Sequence, residues 1–576
     1  RASAAAAAAC AECAELDSFA EALHLQLVPF AHSPRLFHAR FEFSIEAPLS
    51  AAFRADQFDV FPKPVGKLLN AHPSIVAFEA ALSRGRWQRE EWGPPPREFR
   101  PPGAVLIAAN NSTDTGVVDD AWKFLVSALS GSLCASFEGM DPDHDTAAWV
   151  KPLDVPWSNS GNALRFATLP YEPVCTENLT PWLKLLPCGR HRGLAALIAP
   201  IAVAESPFAS LSLAVTADEL SSKTTLRASL DLVLPLRDNQ PGFAAWFDKH
   251  SFKACPAAAT SSVLLWSAGP MGRSAQHQAE WETHDVEGRG TVLVVPTDVF
   301  ARLDDSARMP AESDALPKPW AAPQPAEGLS VMRDVLSQEG RSERTHGRYL
   351  LRFANDGTRR RVKFMDQLPF FIRPLWHTFR ATFHRPGGAS EEVAGLDAMR
   401  RLELQFAPSE GQYFPTEVFL TVGLPPGGTV SIFLDVLKNF IKYREFSYAC
   451  EKGFDVGSAA WMEIEHSEDD GLGTSRSTLD DFIASLAPTT PARIQAEASS
   501  RDAWRLRFTE GLIVLVPMPD FSMPFNVIAL SSTAVTFFFG SIFRLTAAGR
   551  KPHWVLDKEG APKRGLAFWV WRLVLA

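Results

Sequence analysis

Apolar and polar positions alternate with a period of two along much of this chain. Leu23, Leu25 and Leu27 alternate with polar neighbours, as do Phe41, Phe43 and Ile45, and Leu226 to Leu236 carries the pattern through a longer stretch. Successive side chains of a strand point to opposite faces, so these runs predict half-buried strands. Thr291 to Val295, Leu402 to Phe406, Glu417 to Val422 and Thr429 to Leu434 predict more. Tyr349 to Phe353 and Arg361 to Met365 flank an Asn-Asp-Gly turn and predict a hairpin. Trp504 to Phe508 and Leu512 to Val516, around Thr-Glu-Gly, predict another. Helical periodicity is rarer. Trp122, Leu125, Val126, Leu129 and Leu133 share one helical stripe, with Asp119 and Asp120 near its positive end and Cys134 closing it. A helix is expected from Lys63 towards Leu82, broken or restarted at Pro73. Another is expected from Pro181, capped by Asn178 or Thr180, burying Trp182, Leu185 and Leu186.

Met523 to Phe543 breaks the pattern with 21 residues and no charge. At about 1.5 Å per residue it matches a hydrocarbon core of roughly 30 Å. Its Ser and Thr hydroxyls can bond back to carbonyls one turn earlier. Arg544, Arg550, Lys551 and His553 follow at once, so the charge bias puts the tail in the cytosol and the rest across the membrane. A buried core helix is the alternative. The fold class is therefore mainly β with some α: antiparallel β-sandwich lumenal domains plus one C-terminal transmembrane helix. The expected divisions are a signal-peptide remnant or flexible terminus at 1–20 and an α+β lobe at 21–303. A Pro- and charge-rich linker or long loop at 304–346 leads to a β-sandwich lobe at 347–519. The membrane approach and its helix take 520–546, and a basic cytosolic tail takes 547–576.

Composition changes this picture little. The 576 residues are 46% hydrophobic and 21% charged, and a net charge of -9 argues against nucleic-acid binding. The opening RASAAAAAACAECAEL reads as the end of an alanine-rich signal peptide or as an ordered alanine helix. If it is removed, Cys10 and Cys13 leave with it. The odd five that remain (Cys134, Cys175, Cys188, Cys255 and Cys450) then hint at a bond to another chain. Asn110 and Asn111 each begin a glycosylation sequon, as does Asn178, which Pro181 makes a poor acceptor. Asp141, Asp143, His144 and Asp145 lack the glycine turn and distal acid of a calcium loop and read as solvated. No phosphate loop, zinc set or nucleophile elbow appears, and neither a metal nor a cofactor is expected. Cys188 with His191 and Cys255 with His250 are conceivable nucleophile pairs, but such partners usually come from distant segments. The residues read as a lumenal scaffold. A membrane-tethered hydrolase and a single-pass adhesion receptor are the alternatives.

Four stretches together resemble the PIG-T family, the lumenal scaffold subunit of glycosylphosphatidylinositol (GPI) transamidase. They are WGPPP (92–96), DAWKFLVSALSGSLCAS (120–136), VCTENLTPWLKLLPC (174–188) and PDFSMPFNVIALSSTAV (519–535). The resemblance spans roughly residues 20 to 550 and implies a non-catalytic endoplasmic reticulum membrane subunit. Such a subunit partners a catalytic cysteine-protease-like chain, multi-pass membrane subunits, the GPI lipid and precursor proteins carrying a C-terminal signal. It also implies that Cys175 forms a disulfide with the catalytic subunit, an internal bond to Cys188 or Cys134 being the alternative. Cys134 and Cys188 would then be free to pair with each other. Asp520, Ser522 and Asn526, at the membrane edge, are implied contacts of the GPI lipid, with a capped helix entrance as the alternative reading. Glu451, in EKGF, falls at a further lipid-facing turn of the family, although an amide is expected there.

Overall fold

Strands dominate the computed structural model, which describes residues 17–27, 36–48, 60–92, 95, 99–141, 152–155, 163–170, 172–218, 223–236, 247, 253–267, 282–286, 290–298, 329–338, 340–355, 357, 360–388, 390–409, 414–442, 452–464, 506–518 and 522–547. In the first lobe the strands are β1 (Ser18–Leu27), β2 (Leu36–Pro48), β3 (Ile75–Arg84), β4 (Gly103–Asn110), β5 (Leu153–Asp154) and β6 (Ala163–Leu169). They continue with β7 (Ala209–Asp218), β8 (Lys223–Pro235), β9 (Thr260–Ser267), β10 (Glu282–Val286) and β11 (Gly290–Pro296). All eleven join one sheet in the order β10-β11-β9-β1-β2-β8-β7-β3-β4-β6-β5. Its neighbours are antiparallel except β1 and β9, which run parallel. The helices are α1 (Lys63–Ala71), α2 (Arg89–Trp92), α3 (Thr115–Leu133), α4 (Thr176–Lys184) and α5 (Pro200–Glu205).

The alternating residues explain the layers. Phe37, Phe41 and Phe43 of β2 and Leu226, Ala228, Leu230 and Leu232 of β8 face one side. There they bury Trp122, Leu125 and Leu129 of α3 and Leu179 and Trp182 of α4. Every residue of β4 is buried, because Ala104, Leu106 and Ala108 join that core while Val105, Ile107 and Ala109 face the opposite side. Strand β3 is nearly as enclosed, which corrects the expected helix through Leu82: the helix stops at Ala71 and the chain is extended after Pro73. Trp87 and Trp92, before the prolines, pack with Phe99 and Phe208 in a small aromatic cluster.

The second lobe contains β12 (Leu329–Leu336), β13 (His346–Asn355), β14 (Arg360–Leu368), β15 (Ile372–Pro374), β16 (Arg380–His384) and β17 (Ser390–Ala394). The helix α6 (Gly395–Arg401) precedes β18 (Gln405–Ala407), β19 (Thr416–Leu424), β20 (Thr429–Lys438), β21 (Phe454–Val456), β22 (Ala460–Ile464), β23 (Arg507–Phe508) and β24 (Leu512–Val514). One sheet runs β12-β13-β20-β16-β17, with β15 beside β20, and a second runs β18-β19-β14-β22-β23. Leu351 and Phe353 meet Val362, Phe364 and Leu420 between them, so this lobe is a sandwich. Strand β12 falls inside the range read as linker, and 299–328 lies outside the described residues.

Both expected hairpins are sheet changes instead. β13 pairs with β12 and β20, whereas β14 pairs with β19 and β22. Likewise β23 pairs with β22, and β24 with β21. The turn residues bend the chain as expected, but the apolar faces carry β14 to the opposite layer, and β24 joins β21 in a separate two-stranded sheet.

The outer face of the second sheet carries Met365, Ala460 and Met462 into a shared core with Val105, Ile107, Leu164 and Phe166 of the first lobe. Arg100 reinforces this contact, binding Glu79 through Nη2 at 2.5 Å and the Leu506 carbonyl through Nη1 at 3.0 Å.

A separate unit, Met518–Ala576, contains α7 (Ser522–Ala547). Phe525–Ala547 is long and apolar enough to cross a membrane, and none of it is buried within the protein. Thr533, Thr536 and Ser541 donate to the carbonyls of Ala529, Ser532 and Phe537, each at 2.7 Å. Their hydroxyls are thus satisfied inside the helix, as an apolar surrounding requires.

Candidate subunit-docking site around Cys175

The stretch before Cys188 folds from its buried asparagine outward. Asn178 is fully buried. Its Oδ1 accepts from the Cys175 backbone N–H at 3.0 Å and its Nδ2 donates to the Pro173 carbonyl at 3.1 Å. Both bonds fix the entrance of α4 and make Cys175, in extended conformation, its N-cap residue. The helix therefore starts at Thr176, five residues before the expected Pro181, which lies within it. Trp182 anchors the inner side, donating from Nε1 to the Ser212 carbonyl at 3.0 Å and meeting Phe43 edge to face. Leu179 and Leu183 pack beside it, while Thr176, Glu177 and Thr180 face outward. Glu177 stands in the first turn, where the helix dipole favours an acid.

Cys175 is half-buried and its thiol is free. Cys188 does not pair with Cys134. It is bonded to Cys255, with Cα atoms 5.9 Å apart, a separation that suits the bond. Cys134 instead closes α3 in a left-handed conformation (φ 50°) and is exposed and unpaired. The Cys188–Cys255 bond joins the end of the α4 segment to the chain entering β9. Gly193, at φ 69°, allows this approach, since a Cβ there would stand 2.8 Å from the Cys255 Cβ and 2.5 Å from Glu21 Oε2. Glu21 accepts from the Leu194 N–H at 3.1 Å and from the Ser261 hydroxyl at 2.6 Å. Burial pushes its carboxyl above the ordinary range, and the two hydrogen bonds oppose that. No motif surrounds Cys255, so its pairing had no signal beyond the presence of a cysteine. Because Cys188 and Cys255 are bonded to each other, neither is a thiolate partner for His191 or His250.

The remaining expected sites divide. Asn110 ends β4, is 1% exposed, and its Oδ1 has no hydrogen-bond partner. Asn111, next along, is exposed. Ser522 opens α7 and Asn526 is exposed on its first turns. Asp520 and Glu451 lie outside the described residues, as do Cys10, Cys13, Cys450, Asp143, His144 and Asp145. No group of three or more His, Cys, Asp or Glu that could hold a metal occurs among the described residues.

The sequence matches the model of a family described as Gpi16 subunit, GPI transamidase component, over residues 3–245 and 243–559. It is 26% identical to the GPI-anchor transamidase component PIGT of Mus musculus over 546 residues, covering 88% of this chain and 86% of that one. Against the PIGT component of Homo sapiens it is 25% identical over 569 residues, covering 92% and 90%. The GPI transamidase component GPI16 of Saccharomyces cerevisiae is 22% identical over 571 residues, covering 90% of this chain and 87% of that one. With the family matched along nearly its whole length, this chain belongs to the Gpi16 family of GPI transamidase components.

Proposed function

We propose that the chain is the non-catalytic scaffold of a GPI transamidase, and that Cys175 bonds covalently to the catalytic cysteine-protease-like subunit. The observation that carries this reading is the state of the cysteines around α4. Cys188 is bonded to Cys255, while Cys175 keeps a free, half-buried thiol at the outer end of a helix anchored by Asn178 and Trp182. An interchain bond from such a position places the partner with little freedom and raises its effective concentration. The scaffold sits in the endoplasmic reticulum membrane, its two lobes in the lumen and its C-terminus in the cytosol. Multi-pass subunits pack along α7, where Gly540 permits close approach. Asp520, Ser522, Asn526 and Glu451 face the GPI lipid, the precursor is delivered to the partner's nucleophile, and Asn111 carries a glycan.

Non-reducing electrophoresis of the purified complex tests the covalent link. Cys175→Ser should convert the high-mass species wholly to separate subunits, and Cys134→Ser should leave it intact. A linked species that survives Cys175→Ser would overturn the assignment.

A further inference from the structure

The chain after α4 turns back on itself and exposes a run of cations. Lys184 ends the helix, Arg190, His191 and Arg192 follow Cys188, and Lys253 precedes Cys255; all five residues are exposed. Several constraints gather them. The Cys188–Cys255 bond joins the two segments, the His191 N–H donates to the Cys188 carbonyl at 3.3 Å, and the Gly193 N–H donates to the Lys253 carbonyl at 2.7 Å. Gly189, at φ 52°, starts the turn in a conformation that glycine adopts without strain. No cation lies more than four residues from a bonded cysteine, a reach of at most about 14 Å.

A solvated cation at a helix C-terminus is ordinary, and Lys184 alone fits that account. Arg190, Arg192 and Lys253 lie beyond the helix, where its dipole offers them little. Among the described residues, none of these four permanent cations makes an ion pair. Glu21, beneath Gly193, is buried and bonded to the Leu194 N–H and the Ser261 hydroxyl, and Glu177 stands in the first turn of α4, away from the cluster. Like charges at this spacing repel, and a disulfide holds them together instead of letting them spread. A fixed cluster of one sign is complementary to a ligand of the other.

Its place in the fold selects the ligand. Helix α4 has 9 residues, so Lys184 stands about 14 Å from the helix start, where Cys175 keeps its free thiol. A chain bonded at Cys175 spans that distance with about four extended residues. We infer that this turn receives an acidic stretch of the subunit held at Cys175. Arg190 and Arg192 donate to its Asp or Glu carboxylates, and Lys184 and Lys253 add point charges. The inference rests on the reading of Cys175 as the interchain link, and it names the chemistry of a second contact besides the sulfur bond. Contacts at both ends of α4 fix the partner's orientation as well as its distance. The Cys188–Cys255 bond then has a role in assembly, since it keeps the receiving turn in shape.

Two measurements on the full complex in mild detergent test it. Carbodiimide joins a lysine amine to a carboxylate in contact with it, and mass spectrometry of the digest should find Lys184 or Lys253 linked to Asp or Glu of the Cys175-bonded subunit. In a Cys175→Ser background only non-covalent contacts remain. There, replacing Arg190, Arg192 and Lys253 together by Ser should lower recovery of the partner several-fold at low salt and much less at high salt. The cross-linking uses the natural sequence and decides the matter should the variant not fold. Absence of such cross-links, or equal recovery of the partner, in a complex whose linked species still depends on Cys175 would overturn the inference and leave the sulfur link standing. Cross-links to a different subunit, or loss of bound phospholipid with the partner retained, would overturn it in favour of another anion. A linked species that survives Cys175→Ser would remove the reading of Cys175, and this inference with it.

Discussion

His24 lies buried on β1 opposite Arg40 of β2; its Nε2 stands 4.0 Å from Glu42 Oε2 and has no hydrogen-bond partner. Burial lowers its pKa from 6.5 to about 4; Glu42 and Asp231 oppose that, while Arg40 and His38 add to it. The folded imidazole therefore stays neutral at pH values where the unfolded chain takes up a proton. Stability from this residue is complete above about pH 6.5 and is lost as pH falls towards 4. A shift of that size corresponds to about 3 kcal/mol at most. Thermal unfolding of the full chain in detergent, followed from neutral to mildly acidic pH, should show a distinctly shallower loss in His24→Leu than in the natural sequence. Equal slopes would mean that His24 is not the group responsible. Nothing in the sequence marked this histidine, because its cost comes first from burial, and the alternation of β1 placed it among the polar, outward positions.

Elements of the second lobe are held by a buried polar network as well as by apolar packing. Arg333 on β12 donates from Nη1 to Asp366 on β14 at 2.5 Å, and the Tyr349 hydroxyl on β13 donates to the same carboxylate at 2.5 Å. Arg333 also reaches the carbonyls of Gly457 and Glu510, so one guanidinium joins both sheets and the segment leading to β24. Burial and the Asp366 charge hold the Tyr349 phenol well above its ordinary pKa, and it remains a donor throughout the physiological range. Asp366→Asn leaves Arg333 charged and buried without its counter-charge and should cost about 3–5 kcal/mol, while Tyr349→Phe should cost only about 1 kcal/mol. Denaturant midpoints of the two variants check the ordering, and comparable small losses would show that the pair is dispensable. The sheet changes explain why these partners were illegible. An Asn-Asp-Gly turn signals a reversal, but whether β14 returns beside β13 or crosses to the opposite layer is decided by which apolar faces must be buried. Strands β3 and β4 were missed for a related reason: both faces are enclosed, so no alternation survives. By contrast, the stripe of α3 and the uncharged run of α7 each face a single kind of surrounding, and both were readable.

At the scale of the whole molecule, the chain reads as two lobes and an apolar helix in its sequence, yet the lobes share a core that sequence periodicity does not reveal. Met365 and Met462 sit on the faces of β14 and β22 that would be solvated in an isolated sandwich. They are 0% and 2% exposed because Ile107, Leu164 and Phe166 of the first sheet cover them. The same dependence limits the region around Cys175: the 174–188 stretch announced itself, but Cys255 meets Cys188 only when β9 pairs beside β1. A shared core couples the unfolding of the two lobes, since exposing either one strips the other of apolar cover. The full chain should therefore show one main calorimetric transition for both lobes. Met365→Ala, which removes buried volume at the seam, should lower that transition as a unit by an amount equivalent to about 2–5 kcal/mol. Two separate transitions in the natural sequence, or a shift confined to one of two, would show that the lobes fold independently and that the seam is a weak contact.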